Sequence, residues 1–318
     1  MIYTITLNPA LDRELTVHQI ELNRVLRSQS IQIDYGGKGF NVSRALLALG
    51  VKSTALGFIG GSVGAQLAAG ISSLGIHTDF VHIQGETRTN LSVVDADHRN
   101  YLKVNEPGPW VSEVETAALL GKISALASPG DWWILAGSMP PGIQPSFITK
   151  IINRIQSVGA YAAVDMEGAC LLTACKAGAF LVKPNAYEAA GLTGRDTSTT
   201  TRAARTLFKI HDLGTRQAVI SLGKAGAVYS DGNRVWWAIP PTIEEHNPIG
   251  AGDAMLAGMI YGLSQQLPGE DTLRWGVACG AAAASLDGTA VGTLPLIETL
   301  LENVKSGEYL EKGKASQL

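Results

Sequence analysis

The chain alternates between short, continuous apolar runs and longer stretches whose apolar residues recur at helical spacing. The runs at 2–7, 54–59, 132–135, 161–165, 180–182 and 218–221 read as strands buried on both faces. Helical spacing occupies 43–49, 63–74, 111–126, 145–157, 168–175 and 201–211, then 253–265, 271–286 and 294–304. This alternation predicts an α/β fold with a mainly parallel sheet covered on both faces. Two regions break the pattern. Residues 14–33, and 91–94 with 101–104, alternate apolar and polar positions with period two, the second pair flanking a turn at 95–100. They predict about four exposed strands outside the repeat, a small β-sheet lid. A further hairpin is expected at 228–230 and 234–237, on the sheet's far side, and the polar tail 305–318 reads as frayed.

Polar residues collect just after the predicted strands: Asp12, Ser138, Asp165, Lys183, Asn185, Glu188 and Ser221. In open α/β sheets that edge binds ligands. Gly250-Ala251-Gly252-Asp253 leads into a helix predicted to begin near Asp253. Unpaired N–H groups at a helix start attract anions, and the glycines let the backbone come close to one. Asp253 then has two readings. It can cap the helix, or it can accept a proton while the N–H groups hold a phosphoryl group, the layout of a kinase. Gly36-Gly37-Lys38-Gly39-Phe40-Asn41 is similar: either a tight strand-to-helix turn, or bare backbone at a helix start with Lys38 and Asn41 free for polar contacts. Arg88 beside Asn90 at the start of a lid strand is a candidate phosphate clamp.

Composition narrows the classes. The 318 residues suffice for one large α/β domain with a small attached element. A formal charge of −3 argues against nucleic acid as a partner. No apolar run reaches about 18 residues and no signal peptide opens the chain, so neither membrane nor export is expected. The three cysteines, Cys170, Cys175 and Cys279, suggest buried thiols in a reducing cytoplasm, without metal spacing. The glycine-rich segments match neither a Walker A loop nor the dinucleotide fingerprint, which excludes a nicotinamide oxidoreductase.

Seven motifs occur in a telling order: Thr6-Leu7-Asn8-Pro9-Ala10-Leu11-Asp12-Arg13, Gly36-Gly37-Lys38-Gly39-Phe40-Asn41-Val42, Thr87-Arg88-Thr89-Asn90, Gly137-Ser138-Met139-Pro140-Pro141-Gly142, Lys183-Pro184-Asn185-x-x-Glu188, Ser221-Leu222-Gly223-x-x-Gly226 and Gly250-Ala251-Gly252-Asp253. Together, from residue 2 to about 290, they resemble the ribokinase-like, phosphofructokinase-B-type sugar kinases. The nearest branch acts on phosphorylated ketohexoses, as 1-phosphofructokinases and tagatose-6-phosphate kinases do. The resemblance implies one ribokinase-like three-layer α/β/α domain over 1–318, with a mainly parallel sheet and a β-lid formed by about 12–35 and 87–106. It implies Asp253 as the base, with Gly250, Ala251 and Gly252 as the anion hole. Asp12, Gly37, Lys38, Asn41 and Asn90 would meet the sugar. Arg88 and Ser138, with Arg27 or Lys103, would hold the phosphate already on it. Lys183, Asn185, Ser221, Gly223, Gly226 and Gly252 would line an ATP site, and Asn185 and Glu188 would position Mg²⁺ through water. The lid would exclude water and could pair into a homodimer. Fructose 1-phosphate, converted to fructose 1,6-bisphosphate, is the favoured substrate and tagatose 6-phosphate the alternative. A sensor of sugar phosphate or nucleotide on the same scaffold is the reading of another class. Two departures stand out: Asn247, where many relatives have Asp, and Asp165-Met166-Glu167-Gly168, where Asp-Thr/Ser-Ser-Gly is usual.

Overall fold

A computed structural model describes residues 1–97 and 99–310. The chain opens with β1 (Ile2–Thr6), β2 (Ala10–Val17), β3 (Ser28–Gly36), α1 (Lys38–Ala48), β4 (Thr54–Ile59) and α2 (Gly61–Ser73). Two short strands, β5 (His77–Thr78) and β6 (Val81–His82), lead to β7 (Arg88–Asp95) and β8 (Tyr101–Asn105). Strand–helix units follow: α3 (Glu113–Leu126), β9 (Trp132–Ala136), α4 (Ser146–Gln156), β10 (Tyr161–Asp165), α5 (Gly168–Lys176), β11 (Leu181–Val182), α6 (Ala186–Thr193), α7 (Thr200–Asp212) and β12 (Gln217–Ser221). The chain then forms β13 (Ala227–Ser230), β14 (Val235–Ile239), α8 (Ala251–Ser264), α9 (Gly269–Ala284), α10 (Leu294–Glu302) and β15 (Lys305–Glu308).

The large sheet runs β15-β14-β13-β12-β11-β10-β9-β1-β4-β5, with β6 also on β4. From β12 through β9 and β1 to β4 every pairing is parallel, and the last three strands add antiparallel rungs at one edge. Successive residues of a strand enter opposite layers. Trp132 and Ile134 pack with α1, α8, α9 and α10, while Trp133 and Leu135 pack with α3, α4, α5 and α7. Helices therefore cover both faces, and the central strands are buried on both sides and mostly apolar, with Thr4 and Thr6 of β1 among the few buried polar exceptions. This is the expected three-layer α/β/α architecture.

The second sheet has four strands in the order β3-β2-β7-β8. Its register explains the period-two pattern. Ile33, Arg13, Leu91 and Val104 form one row across the sheet, and Ile31, Leu15, Val93 and Leu102 the next on the same face. Asp34, Asp12, Asn90 and Asn105 form a row on the opposite, polar face.

Some boundaries differ from expectation. Helix α1 begins at Lys38 rather than near 43, and α8 at Ala251 rather than at Asp253. The short α6 was not anticipated. The segment 305–308 is an edge strand, antiparallel to β14, rather than a frayed tail; the rest of that tail from 311, like His98 in the 95–100 turn, lies outside the described residues. The expected hairpin, β13–β14, continues the large sheet beyond β12. Cys175 and Cys279 are buried free thiols, and Cys170 is half-buried. No described helix is long and apolar enough to cross a membrane.

Candidate active site

The parallel strands deliver their C-terminal ends to one edge, the side on which doubly wound sheets bind ligands. There Asn8 follows β1, Ser138 follows β9, Asp165 ends β10 and Lys183 follows β11. With the loop before α8 they border a cleft of about 1270 Å³. The polar face of the small sheet contributes Arg88, Lys103 and Asn105 to one end of it. Ile239, Pro240, Pro241, Val277 and Ala281 form an apolar wall elsewhere in it.

Asp253 sits at this cleft, only 5% exposed. Gly250 is the N-cap of α8, in the left-handed region at φ 85°, and no side chain caps the helix. Asp253 lies inside the first turn, so it is not the cap. Its Oδ2 instead accepts a 2.8 Å hydrogen bond from Asn41 Nδ2 on α1. Burial, and then the nearby charge of Asp165, push its carboxyl up to about 6, against the opposing pull of Asn41, Lys38 and Lys183. A carboxylate raised to that range and fixed by one donor suits a general base at neutral pH.

Two lysines stand beside it. Lys183 Nζ and Lys38 Nζ both reach Asp165, at 2.9 and 3.3 Å. Burial alone would raise the Asp165 carboxyl, but Lys183 and Lys38 outweigh it and hold it below the usual range. Lys38 likewise keeps its proton tightly, its desolvation overcome by Asp165, Asp253 and Glu188. A Cβ added to Gly252 would stand 3.3 Å from Lys183 Nζ, so this ammonium lies against the first turn of α8. The ammonium and the positive helix terminus together form an anion cradle. Sequence places Asp165 at the sheet edge and at the head of the Asp165-Met166-Glu167-Gly168 segment, but its pairing with both lysines is not legible from spacing.

At the end bordered by the small sheet, Arg88 donates to Glu106 O and Asn8 O, both at 2.9 Å, and stands 3.5 Å from Ser138 Oγ. Arg88 Nε and Thr6 Oγ1 are buried without a partner among the described residues, and both residues line the cleft. Unpaired buried polar atoms on such a wall favour a polar ligand. Asn8, quoted earlier without a role, donates to Pro107 O at 3.1 Å and ties the exit of β8 to the end of β1. Gly37, Lys38, Asn41, Lys103 and Ser138 border the cleft as expected. Asp12 and Asn90 do not. Asn90 Nδ2 donates to Asp12 Oδ1 at 2.7 Å, so the pair bridges β2 and β7 on the sheet's polar face. Burial outweighs the Asn90 bond and the Lys103 charge and leaves the Asp12 carboxyl raised above its usual range. Arg27 is exposed and also lies outside the cleft.

Toward the apolar wall, Ser221, Gly223 and Gly226 border the cleft. Gly226 has φ 88°, and a Cβ there would lie 1.9 Å from Ala238 O, so only glycine fits this turn. Asn185 and Glu188 form a capping box at the start of α6: Asn185 Oδ1 accepts from Glu188 N, and Glu188 Oε2 accepts from Asn185 N. Each therefore has a structural task, while both still border the cleft. The apolar wall itself was missed by sequence reading, because proline and small residues carry no chemical signature.

The sequence matches the model of the pfkB family carbohydrate kinases over residues 5–295. The chain belongs to this family. A 1-phosphofructokinase of Bacillus subtilis is 33% identical over 305 residues, covering 96% of this chain and 99% of the relative. The ATP-dependent 6-phosphofructokinase isozyme 2 of Escherichia coli is 33% identical over 291 residues, covering 91% and 94%. The crystal structure of Escherichia coli phosphofructokinase-2 in complex with potassium superposes with a TM-score of 0.90 at 30% identity, over 95% of this chain and 98% of that one. The pfkB kinase described here is thus a phosphotransferase acting on a carbohydrate, built on the ribokinase-like fold with its additional small sheet.

Proposed function

We propose that this kinase transfers the γ-phosphoryl group of ATP to fructose 1-phosphate, forming fructose 1,6-bisphosphate. The observation that carries the chemistry is Asp253: buried, held by Asn41 and free of any capping role, beside an uncapped helix start and the Lys183 ammonium. In this reading Arg88, with Lys103 and Ser138, holds the phosphate on the sugar. Asn41 and Lys38 set the position of the sugar's free terminal hydroxyl near Asp253, which takes its proton as the oxygen attacks. Gly250, Ala251 and Gly252 and the Lys183 ammonium receive the developing phosphoryl charge. The apolar wall takes the nucleotide base, with Ser221, Gly223 and Gly226 along its flank. Asp12, bonded to Asn90, braces the β2–β7 pair that carries Arg88.

Asn185 and Glu188 fit a divalent ion held through water. Their capping box commits one oxygen of each, and no described group of three His, Cys, Asp or Glu side chains could hold a bare ion. Mg²⁺ arriving with ATP would neutralise charge on the phosphates. We also assign the homodimer contact to the small sheet's outer face, where Ile31, Ile33, Leu91, Leu102 and Val104 are exposed in two adjoining rows.

The choice of fructose 1-phosphate is supported by the curated relatives named for it, while the 6-phosphofructokinase relative makes fructose 6-phosphate the competitor to beat. The test is kcat/KM measured side by side for fructose 1-phosphate, fructose 6-phosphate and tagatose 6-phosphate. Fructose 1-phosphate should lead by at least about tenfold, since mispaired polar groups in a site discriminate strongly. A lead for another sugar phosphate overturns the substrate, and ADP release that ignores every sugar phosphate overturns the reaction.

The same site sets a pH dependence. A base must be ionised, so kcat should rise with pH across about 6 and fall away below it as Asp253 becomes protonated. A kcat profile flat from pH 5 to 8 would remove Asp253's titration from the rate.

A further inference from the structure

Asp34 ends the small sheet's innermost polar row, directly opposite Asp12 across the β2–β3 ladder. It belongs to a compact cluster outside the cleft lining. Arg44 on α1 donates to Asp34 Oδ1 at 2.7 Å, to Tyr35 O at 3.1 Å and to Thr289 Oγ1 at 2.9 Å. Thr289 in turn donates to Asp34 Oδ2 at 2.5 Å. Burial disfavours the Asp34 charge, but the bonds from Arg44 and Thr289 outweigh it and hold the carboxyl below its usual range.

Thr289 lies on the turn after α9, and the other side of that turn holds the loop before α8. Asn247 Nδ2 donates to Gly288 O at 2.9 Å, while its Oδ1 accepts from Ile249 N at 3.0 Å. His246 N and Asn247 N both reach Ala284 O, and His246 Nδ1 meets Asp287 at 3.2 Å. Helix α1 therefore grips the loop at two points. Asn41 holds Asp253 directly, and Arg44, one turn further along, holds the approach to Gly250 through Thr289, Gly288 and Asn247. The amide at 247 suits this task, because a carboxylate there could not donate to the Gly288 carbonyl.

We infer that Asp34, Arg44, Thr289 and Asn247 form a positioning cluster that keeps the 247–253 loop in register with the small sheet for phosphoryl transfer. The inference deepens the kinase reading and rests on it. None of the four needs to touch substrate. Their effect is on where the N–H groups and Asp253 stand when the phosphoryl charge develops, and small misplacements there act on turnover more than on binding.

Thr289→Val removes the hydroxyl and keeps the shape, whereas Thr289→Ser keeps the hydroxyl. In Thr289→Val, kcat should fall about tenfold at temperatures well below its Tm, with both KM values within about twofold of the unaltered enzyme. Amide hydrogen exchange at Ala251 and Ala254, measured on the unliganded chain, should be faster. Thr289→Ser should restore both. A Thr289→Val enzyme that is less heat-stable yet turns over and exchanges like the parent reduces the cluster to a structural staple and overturns the proposal. So does a Thr289→Ser enzyme that shares the valine defects. If the unaltered chain phosphorylates no sugar phosphate, the kinase reading fails by itself, and the exchange comparison still decides whether the cluster holds the loop.

Discussion

Asp253→Asn should lower kcat by ~10²–10⁴, the usual contribution of a positioned acid–base group. Asparagine matches the shape of the carboxylate and can still present an oxygen to Asn41 Nδ2, so the geometry around α8 should survive. What it cannot do is take a proton from the sugar hydroxyl. Binding of ATP and sugar phosphate should stay near normal. Stability should not suffer either. The folded chain raises this carboxyl well above its usual range, so ionising it above pH ~6 weakens the fold, and a neutral amide removes that penalty. Steady-state kinetics with a melting curve on the same preparation check both halves. A near-normal kcat would take Asp253 out of the mechanism, and a large fall in Tm would mean that lost activity reports lost structure.

Arg88→Ala is expected to raise KM for the sugar phosphate by ~10–100-fold and leave KM for ATP within about twofold, the scale of a charge-assisted phosphate contact. The guanidinium also donates to Glu106 O and Asn8 O, so it holds the exits of β8 and β1 against each other. Arg88→Lys should recover only part of the loss, because an ammonium lacks the planar fork that serves two directions at once. Kinetics with each substrate varied in turn decide the matter. Equal rises in both KM values would assign Arg88 to the scaffold rather than to the phosphate.

How far sequence alone reached can be judged from single elements. The strands of the large sheet were legible because burial on both faces leaves continuous apolar runs, and the small sheet because a one-faced sheet must alternate. Helix α1 was read five residues late. Its first turn, Lys38-Gly39-Phe40-Asn41, carries glycine and asparagine, which disfavour helix locally. Close packing overrides that preference: a Cβ on Gly39 would fall 2.5 Å from Thr6 Oγ1. Helix α6 escaped because eight residues after a Pro-Asn pair look like a loop until the Asn185–Glu188 box is seen. Strand β15, Lys-Ser-Gly-Glu, has no strand propensity, and it forms because β14 offers an open edge, with Gly307 lying against the Trp237 ring.

At the site, motif residues on strand ends and helix starts could be placed by the edge rule alone. Asp12 and Asn90 could not, since their mutual bond depends on the β2–β7 register. Neither could Asp165 between its two lysines, nor Thr289 on Asp34. Such pairings join segments with no periodic relation, and only the finished topology brings them together.

The bond between Asn41 and Asp253 joins residues 212 positions apart in sequence. Most helical structure here can form from neighbours in sequence, but this contact must wait for both faces of the large sheet to be laid down and for α8 to dock beside α1. Loop closure of that length is slow to be rewarded. A refolding chain should accordingly regain its circular-dichroism signal before its catalytic power, and a fragment ending before α8 should lack activity, since it lacks Asp253.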